Sequence, residues 1–129
     1  VTNFVFPAMA WSVGSLVSTT QDLTIWFSAL LGGKVLSPKL TSEMKIPKGP
    51  ASASGLKYGL GLEIVTLNDG SFLIGHGGGP LMGNTATMLY YPKAQAMVIT
   101  LANGASANAG ATLGSLAWKR ILMYRATGQ

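Results

Sequence analysis

Residues 58–79, YGLGLEIVTLNDGSFLIGHGGG, decide the fold because they hold two apolar runs, a turn and a cluster of glycines. Apolar side chains alternate with glycine or polar residues from Tyr58 to Leu67, which is the period of a half-buried strand. Asn68-Asp69-Gly70 is a strong signal for a hairpin turn, and Phe72 to His76 continue on the returning strand. On the first strand, the residues predicted to share one face are Leu60, Leu62 and Ile64.

A second pair of strands is predicted after the glycines. The first strand runs from Thr85 to Tyr91 and the second from Ala96 to Ala102. Pro92-Lys93-Ala94-Gln95 joins them as a turn, since proline presets the backbone for such positions. The two pairs together predict an antiparallel meander of four strands.

Helices are predicted on both sides of the meander. Ser18-Thr19-Thr20-Gln21 has the spacing of a capping box, and it precedes a run of helical period that Gly32-Gly33 closes. Ser37-Pro38 begins a short second helix, and helical spacing returns from about Asn108. The apolar positions of this last helix are Leu113, Ala117, Ile121 and Tyr124. The order of elements predicts an α+β fold, an antiparallel sheet meander flanked by helices.

The composition excludes several classes of function. Of 129 residues, 48% are hydrophobic and 10% charged, which predicts one folded core. The net charge is +5, but the basic residues are not clustered with aromatics, so no nucleic-acid partner is expected. The absence of cysteine excludes a thiolate nucleophile, and one histidine with four scattered acids gives no metal-ligand spacing. Neither a cofactor nor a membrane span is expected, because no phosphate-binding loop and no run of about 18 apolar residues occurs.

His76 is the residue with the clearest chemical potential, because it ends a predicted strand directly before Gly77-Gly78-Gly79. A lone histidine is more often a hydrogen-bonded structural residue than a catalyst. The glycines can let a substrate lie along the strand and leave N–H groups free to face an oxyanion. They are equally typical of a wide, flexible turn, so both interpretations stay open on the residues alone.

Two Ser-x-x-Lys strings have the spacing of a serine nucleophile and its lysine base. The first, Ser42 to Lys45, lies late in a short helix, and the second, Ser54 to Lys57, lies in a glycine-rich loop that leads into a strand. Neither context enforces the helical geometry that the chemistry needs. Both strings are therefore interpreted as accidental.

Five segments of the chain match a known family in its order and spacing. They are Gly14–Leu23, Phe27–Ser37, Tyr58–Leu62, Gly75–Gly79 and Val98–Asn103. Together they resemble the C-terminal part of the penicillin-recognising serine hydrolases: class C β-lactamases, serine DD-peptidases, D-aminopeptidases and related esterases. The similarity is closest to the DD-peptidases, which have histidine where lactamases usually have lysine. The resemblance implies the C-terminal portion of the serine β-lactamase/DD-peptidase fold.

The resemblance also implies roles for the glycine-rich strand. In that family a strand carries Lys or His, then Thr, Ser or Gly, then Gly, which here are His76, Gly77 and Gly78. His76 is thereby expected to line the pocket and to assist proton transfer or set the polarity near the leaving group, and the amide of Gly79 to donate one oxyanion-hole hydrogen bond. DD-peptidases hold the substrate carboxylate with hydroxyls and a basic residue at positions that match Gly77, Gly79 and Glu63. A carboxylate would meet a like charge at Glu63, so this substrate-binding set departs from the DD-peptidases.

The family's serine nucleophile, its lysine partner and a Tyr-x-Asn element all precede the matched region. Residues 1–129 are therefore interpreted as a single partial domain, the C-terminal segment of a longer enzyme whose N-terminal part is its partner. No charged side chain occurs from Val1 to Gln21, which is unusual for a free terminus and is explained if this stretch packs on the missing part.

The leading hypothesis is that the parent protein is a serine hydrolase that cleaves amide or ester bonds of a small molecule or peptide through an acyl-serine intermediate. This chain alone is expected to be inactive. One alternative is a non-catalytic module of the same fold that binds peptide or peptidoglycan-like ligands, and another is an independent α+β domain with a coincidental match. By resemblance, the expected location is periplasmic or extracellular.

Overall fold

A computed structural model of the protein describes residues 7–49, 52, 55–79, 84–103, 114, 116–121 and 123. Three helices come first: α1 (Pro7–Gly14), α2 (Thr20–Leu31) and α3 (Pro38–Met44). Five strands follow: β1 (Lys57–Tyr58), β2 (Glu63–Thr66), β3 (Phe72–Gly78), β4 (Asn84–Tyr91) and β5 (Ala96–Asn103). They form one antiparallel sheet in sequence order, and residues 114, 116–121 and 123 after it are helical. The predicted α+β meander flanked by helices is confirmed.

The hairpin predicted at Asn68-Asp69-Gly70 joins β2 to β3. The amide of Gly70 donates to the carbonyl of Leu67 (3.0 Å), and the amide of Leu67 donates to the carbonyl of Ser71 (2.7 Å). Gly70 has φ 78°, a conformation that glycine adopts at no steric cost. The turn residues therefore have the role that the sequence predicts.

The stretch predicted as one strand from Tyr58 to Leu67 is divided into β1 and β2, so the sheet has five strands rather than four. Gly61, between them, has φ 75°, and the amide of Gly59 donates to the carbonyl of Leu62 at 2.7 Å. The chain reverses at this turn, and the alternation of faces is lost. Leu62 is 3% exposed but Leu60 is 49% exposed, so the prediction that Leu60 shares a face with Leu62 and Ile64 is wrong.

Apolar side chains pack against the sheet in two clusters. Because neighbouring strand residues point to opposite faces, Leu73 belongs to one cluster and Ile74 to the other. The Trp118 cluster contains Leu73, Tyr91, Ala94, Val98 and Trp118, with Ala117 and Ile121 packed against it. The Phe27 cluster contains Phe27, Leu30, Leu62 and Ile74. The last helix and α2 thus cover opposite faces of the sheet, and both helices were predicted from their spacing; Asn108, Leu113 and Tyr124 lie outside the described residues.

The ends of α2 and α3 are close to their predicted positions. Thr19 caps α2, because its side chain accepts a hydrogen bond from the amide of Asp22 at 3.1 Å. The cap is thus one residue later than Ser18, with which the capping-box spacing began. The helix ends at Gly32, and Ser37-Pro38 begins α3, both as predicted.

Helix α1 lies in the charge-free start and was not predicted. Trp11 has φ 40°, which places a kink inside it. Trp11, Leu16 and Val17 are largely exposed, so this segment presents apolar side chains to solvent. No helix among the described residues has the length and apolar character needed to cross a membrane.

A polar network ties the β2–β3 turn to the connection between β4 and β5. Asp69 accepts hydrogen bonds from the hydroxyl of Ser71, from its amide (3.0 Å) and from Lys93 Nζ (2.9 Å). Ser71 Oγ also lies 3.1 Å from the hydroxyl of Tyr91. The hydrogen bonds from the Ser71 side chain and from Lys93 hold the pKa of Asp69 well below its usual range, and Asp69 raises the pKa of Lys93.

Candidate active site

The residues predicted for the site lie together at one end of the sheet. His76–Gly78 are the last three residues of β3, and Gly79 follows directly. Glu63 is the first residue of β2 and pairs with Gly75. The backbone of Glu63 therefore lies opposite the residue that precedes His76 in the β2–β3 ladder. Their chemical roles stay predictions, but the fold brings their backbones to one place.

The side chain of His76 is held by Tyr58 of β1. Tyr58 Oη lies 2.7 Å from His76 Nε2, within hydrogen-bond distance. The two rings meet edge to face, with centroids 5.6 Å apart and planes at 82°. No chemical role is predicted for Tyr58 from the sequence. The sequence feature that could have indicated a role for Tyr58 is an aromatic side chain with a hydroxyl at the start of a strand that leads into the hairpin.

The backbone of Tyr58 is itself fixed on two sides. The carbonyl of Tyr58 accepts a hydrogen bond from the amide of Lys48 at 2.7 Å, and Tyr58 pairs with Glu63 on β2. At Gly59, an added Cβ would lie 2.1 Å from the carbonyl oxygen of Met44, at the end of α3. Only glycine permits this close approach, so the end of β1 packs tightly against the end of α3.

The glycine before His76 differs from those after it. At Gly75, an added Cβ would lie 1.9 Å from the carbonyl oxygen of Met88, so β4 is too close for any side chain. At Gly77 and Gly78 the nearest atoms lie at ordinary contact distance, and at Gly79 no described residue lies within 4 Å of an added Cβ. Within the described structure the close backbone approach is therefore at Gly75, and the space beside Gly79 is open.

The interpretation of the three glycines as a wide turn is wrong for two of them. Gly77 pairs with Thr87 and Gly78 pairs with Ala86, so both belong to the β3–β4 ladder. Both glycines are therefore part of the strand, up to its last residue. An extended strand is the geometry that a ligand lying along the sheet requires.

The two Ser-x-x-Lys strings do not contribute a described nucleophile to this end of the sheet. Ser42 is exposed in α3, and Lys45 Nζ donates to the carbonyl of Leu31 at 3.3 Å. Ser54 lies outside the described residues, and Lys57 belongs to β1. The backbone partner of Lys45 agrees with the interpretation of the first string as accidental.

A cavity of about 620 Å³ lies between α2 and the sheet. Its wall is mainly apolar and includes Leu31, Ile74, Tyr90 and Met97, with Lys45 as a charged member. Ile74 lies two residues before His76 on β3, so the cavity adjoins the candidate site without containing the predicted residues. Among the described residues, no group of three metal-ligating side chains is close enough to hold a metal ion.

Comparison with known proteins bears on the family and the fold. A family model described as Beta-lactamase matches residues 2–121. The chain is similar to a D-stereospecific amidohydrolase from Streptomyces sp., with a TM-score of 0.67 and 27% identity, over 78% of this chain and 30% of that protein. It is also similar to an octameric penicillin-binding protein homologue from Pyrococcus abyssi, with a TM-score of 0.67 and 25% identity, over 81% of this chain and 24% of that protein.

A penicillin binding protein from Bacillus halodurans shares the fold, with a TM-score of 0.65 and 20% identity. The match covers 78% of this chain and 30% of that protein. The chain thus spans less than a third of the length of each of these three proteins. In each comparison the similarity extends over most of the present chain.

Proposed function

Because this chain belongs to the beta-lactamase family, we propose that it is part of a serine hydrolase that cleaves amide or ester bonds through an acyl-serine intermediate. The observation that carries the proposal is the position of His76–Gly78 at the end of a strand, with no described residue within 4 Å of a Cβ added at Gly79. The amidohydrolase among the similar structures supports an amide as one substrate class. The resemblance to the penicillin-recognising serine hydrolases supports a periplasmic or extracellular location.

We propose further that the catalytic work is divided between this chain and an N-terminal part of the same hydrolase. The chain spans less than a third of the similar proteins, which supports a larger parent. In this division the N-terminal part supplies the serine nucleophile and its lysine base. The present chain supplies the end of β3, and its apolar α1 segment packs on the N-terminal part.

In the proposed reaction the serine oxygen attacks the carbonyl carbon of the substrate, and its proton passes to the base. The carbonyl oxygen becomes an oxyanion, which the amide of Gly79 stabilises with a hydrogen bond. The carbon–nitrogen or carbon–oxygen bond then breaks, and the leaving amine or alcohol takes up the proton that the base received from the serine. His76 lies beside the leaving group. Water hydrolyses the acyl-serine to a carboxylic acid and regenerates the serine.

The substrate is a small molecule or a peptide that lies along β3 beside Gly77 and Gly78. Glu63 brings a negative charge to this end of the sheet, and a like charge is unfavourable there. We therefore propose that the part of the substrate beside Glu63 is neutral or positively charged. This distinguishes the proposed substrate from the free carboxylate that a DD-carboxypeptidase recognises.

Labelling with a serine-reactive fluorophosphonate, followed by intact-mass measurement, tests the division of labour. The chain alone should keep its mass, whereas the chain together with the polypeptide encoded upstream should gain one label, located in the upstream part by peptide mapping. Ser42→Ala and Ser54→Ala variants are the controls and should not change the labelling. A label on the isolated chain would overturn the proposed division, and an unlabelled complete protein would favour a non-catalytic binding module.

A further inference from the structure

The hydrogen bond between Tyr58 and His76 connects the edge strand to the candidate active site. It occupies Nε2 of the only histidine in the chain, at 2.7 Å. The edge-to-face contact at 82° shows that the rings are not stacked. Because of this hydrogen bond, the tautomer and the orientation of the imidazole depend on the hydroxyl of Tyr58, which the proposed reaction does not use.

The direction of this hydrogen bond follows from the chemistry of the two groups. A neutral imidazole has one nitrogen with a proton and one that accepts through its lone pair. A phenol hydroxyl is the better donor of the pair, and the basic ring nitrogen is the better acceptor. These preferences favour donation from Tyr58 to Nε2, which would leave the proton of the neutral ring on Nδ1 of His76.

The position of the donor is set by the backbone around it. Lys48 binds the carbonyl of Tyr58, Glu63 pairs with it, and Gly59 lets β1 pack against the end of α3. A side chain on such a fixed strand loses little further freedom when it makes a hydrogen bond. Tyr58 is thus well placed to hold the ring of His76 in a single orientation.

We infer that Tyr58 is a positioning residue that keeps neutral His76 in the Nδ1–H tautomer, so that His76 offers the substrate a hydrogen-bond donor rather than a base. The inference rests on the proposed function for the identity of the substrate. With Nε2 occupied, the donor is Nδ1–H, and its natural partner is an oxygen acceptor near the scissile bond. A substrate whose leaving group carries an ether, ester or carboxamide oxygen fits this donor.

The tautomer is measured directly by long-range ¹H–¹⁵N correlation spectra of the ¹⁵N-labelled chain at about pH 8.5, where a histidine ring is ordinarily neutral. Because His76 is the only histidine, its ring signals need no assignment. We expect Nδ1 to carry the proton in the unmodified chain. In Tyr58→Phe the ratio of tautomers should move toward Nε2–H by about fivefold, the ratio that corresponds to one ordinary hydrogen bond of about 1 kcal/mol.

Tyr90→Phe is the matched control, because it removes a hydroxyl from β4 of the same sheet and should leave the ratio unchanged. Backbone amide spectra establish that both variants keep the fold. An unmodified chain with Nε2–H as its main tautomer would overturn the inference, as would an unchanged ratio in folded Tyr58→Phe. The spectra require no catalysis, so this result is independent of the fluorophosphonate experiment that tests the proposed function.

Discussion

The two ends of β3 differ in how they are filled. At the turn end, Leu73 packs into the Trp118 cluster, and Asp69 binds both Ser71 and Lys93. At the glycine end, three consecutive residues have no side chain, and half-buried His76 is held by Tyr58. A strand anchored by packing at one end can leave space at the other. Binding sites are commonly placed on such supported but open positions.

Removal of Trp118 should cause the largest loss of stability, because it is buried in the cluster that anchors the turn end and meets Tyr91 edge to face. Trp118→Ala should lower the free energy of unfolding by about 3–5 kcal/mol, measured by urea denaturation. Trp26→Ala, at a position half exposed in α2, should cost less than about 1 kcal/mol. Equal losses at the two positions would contradict the anchoring role of this cluster.

The Trp118→Phe variant separates packing from hydrogen bonding at the same position. The indole nitrogen of Trp118 is buried and has no hydrogen-bond partner in the described part of the chain. Phenylalanine keeps an aromatic ring in the cluster and loses no described hydrogen bond. Its free energy of unfolding should therefore be closer to that of the unmodified protein than that of Trp118→Ala.

Alanine substitutions along β3 should locate the boundary between its filled and open parts. Gly75→Ala brings a methyl group against the backbone of β4 and should lower the free energy of unfolding by about 1–3 kcal/mol. Gly78→Ala meets only ordinary contacts and should change it by less than about 0.5 kcal/mol. Thermal denaturation of both variants measures the difference, and a larger loss for Gly78→Ala would place the boundary elsewhere.

The smallest effect is expected from the charge of Asp69, which is exposed to solvent. Its pKa is lower in the folded state than in the unfolded state, so its contribution to stability is present above the ordinary carboxyl pKa and is lost as the pH falls. Asp69→Asn should therefore lower the Tm slightly at neutral pH, and the difference from the unmodified protein should decrease below about pH 4. Salt should also reduce it.

Thermal denaturation from neutral to acidic pH measures this contribution. Lys93→Met should show a pH dependence of the same sign but smaller size, because it removes one partner of Asp69 and leaves the hydrogen bonds from Ser71. Lys39→Met, which removes an exposed lysine on α3, is the control and should not show it. A difference between Asp69→Asn and the unmodified protein that grows on acidification would contradict the assigned role of Asp69.

Much of the fold could be predicted because its signals are local. Asn68-Asp69-Gly70 forms the predicted turn, since a glycine with positive φ is compatible with a tight hairpin. Ser37-Pro38 begins a helix because the side chain of Ser37 caps it and proline suits its first position. His76 lies on β3 as the same period-two pattern predicted, although the strand continues beyond the predicted end at His76 to Gly78.

The remaining features depend on contacts that a local pattern does not contain. The apolar spacing across Tyr58–Leu67 is regular, but the chain reverses at Gly61, which has a positive φ. Leu60 is therefore exposed to solvent. Tyr58 and His76 are 18 positions apart and meet only because that reversal places β1 beside β2. The crowded backbone at Gly75 is likewise a property of the neighbouring strand.

The order of the strands has a consequence for how the chain folds. Every strand pairs with the strand before or after it, so each pairing brings together segments that are already near in the chain. The loss of chain entropy on forming each pairing is therefore small. The contact between α2 and β5 joins segments that are far apart in sequence. The strand pairing is thus confined to neighbouring hairpins, whereas the docking of this helix carries a long-range cost.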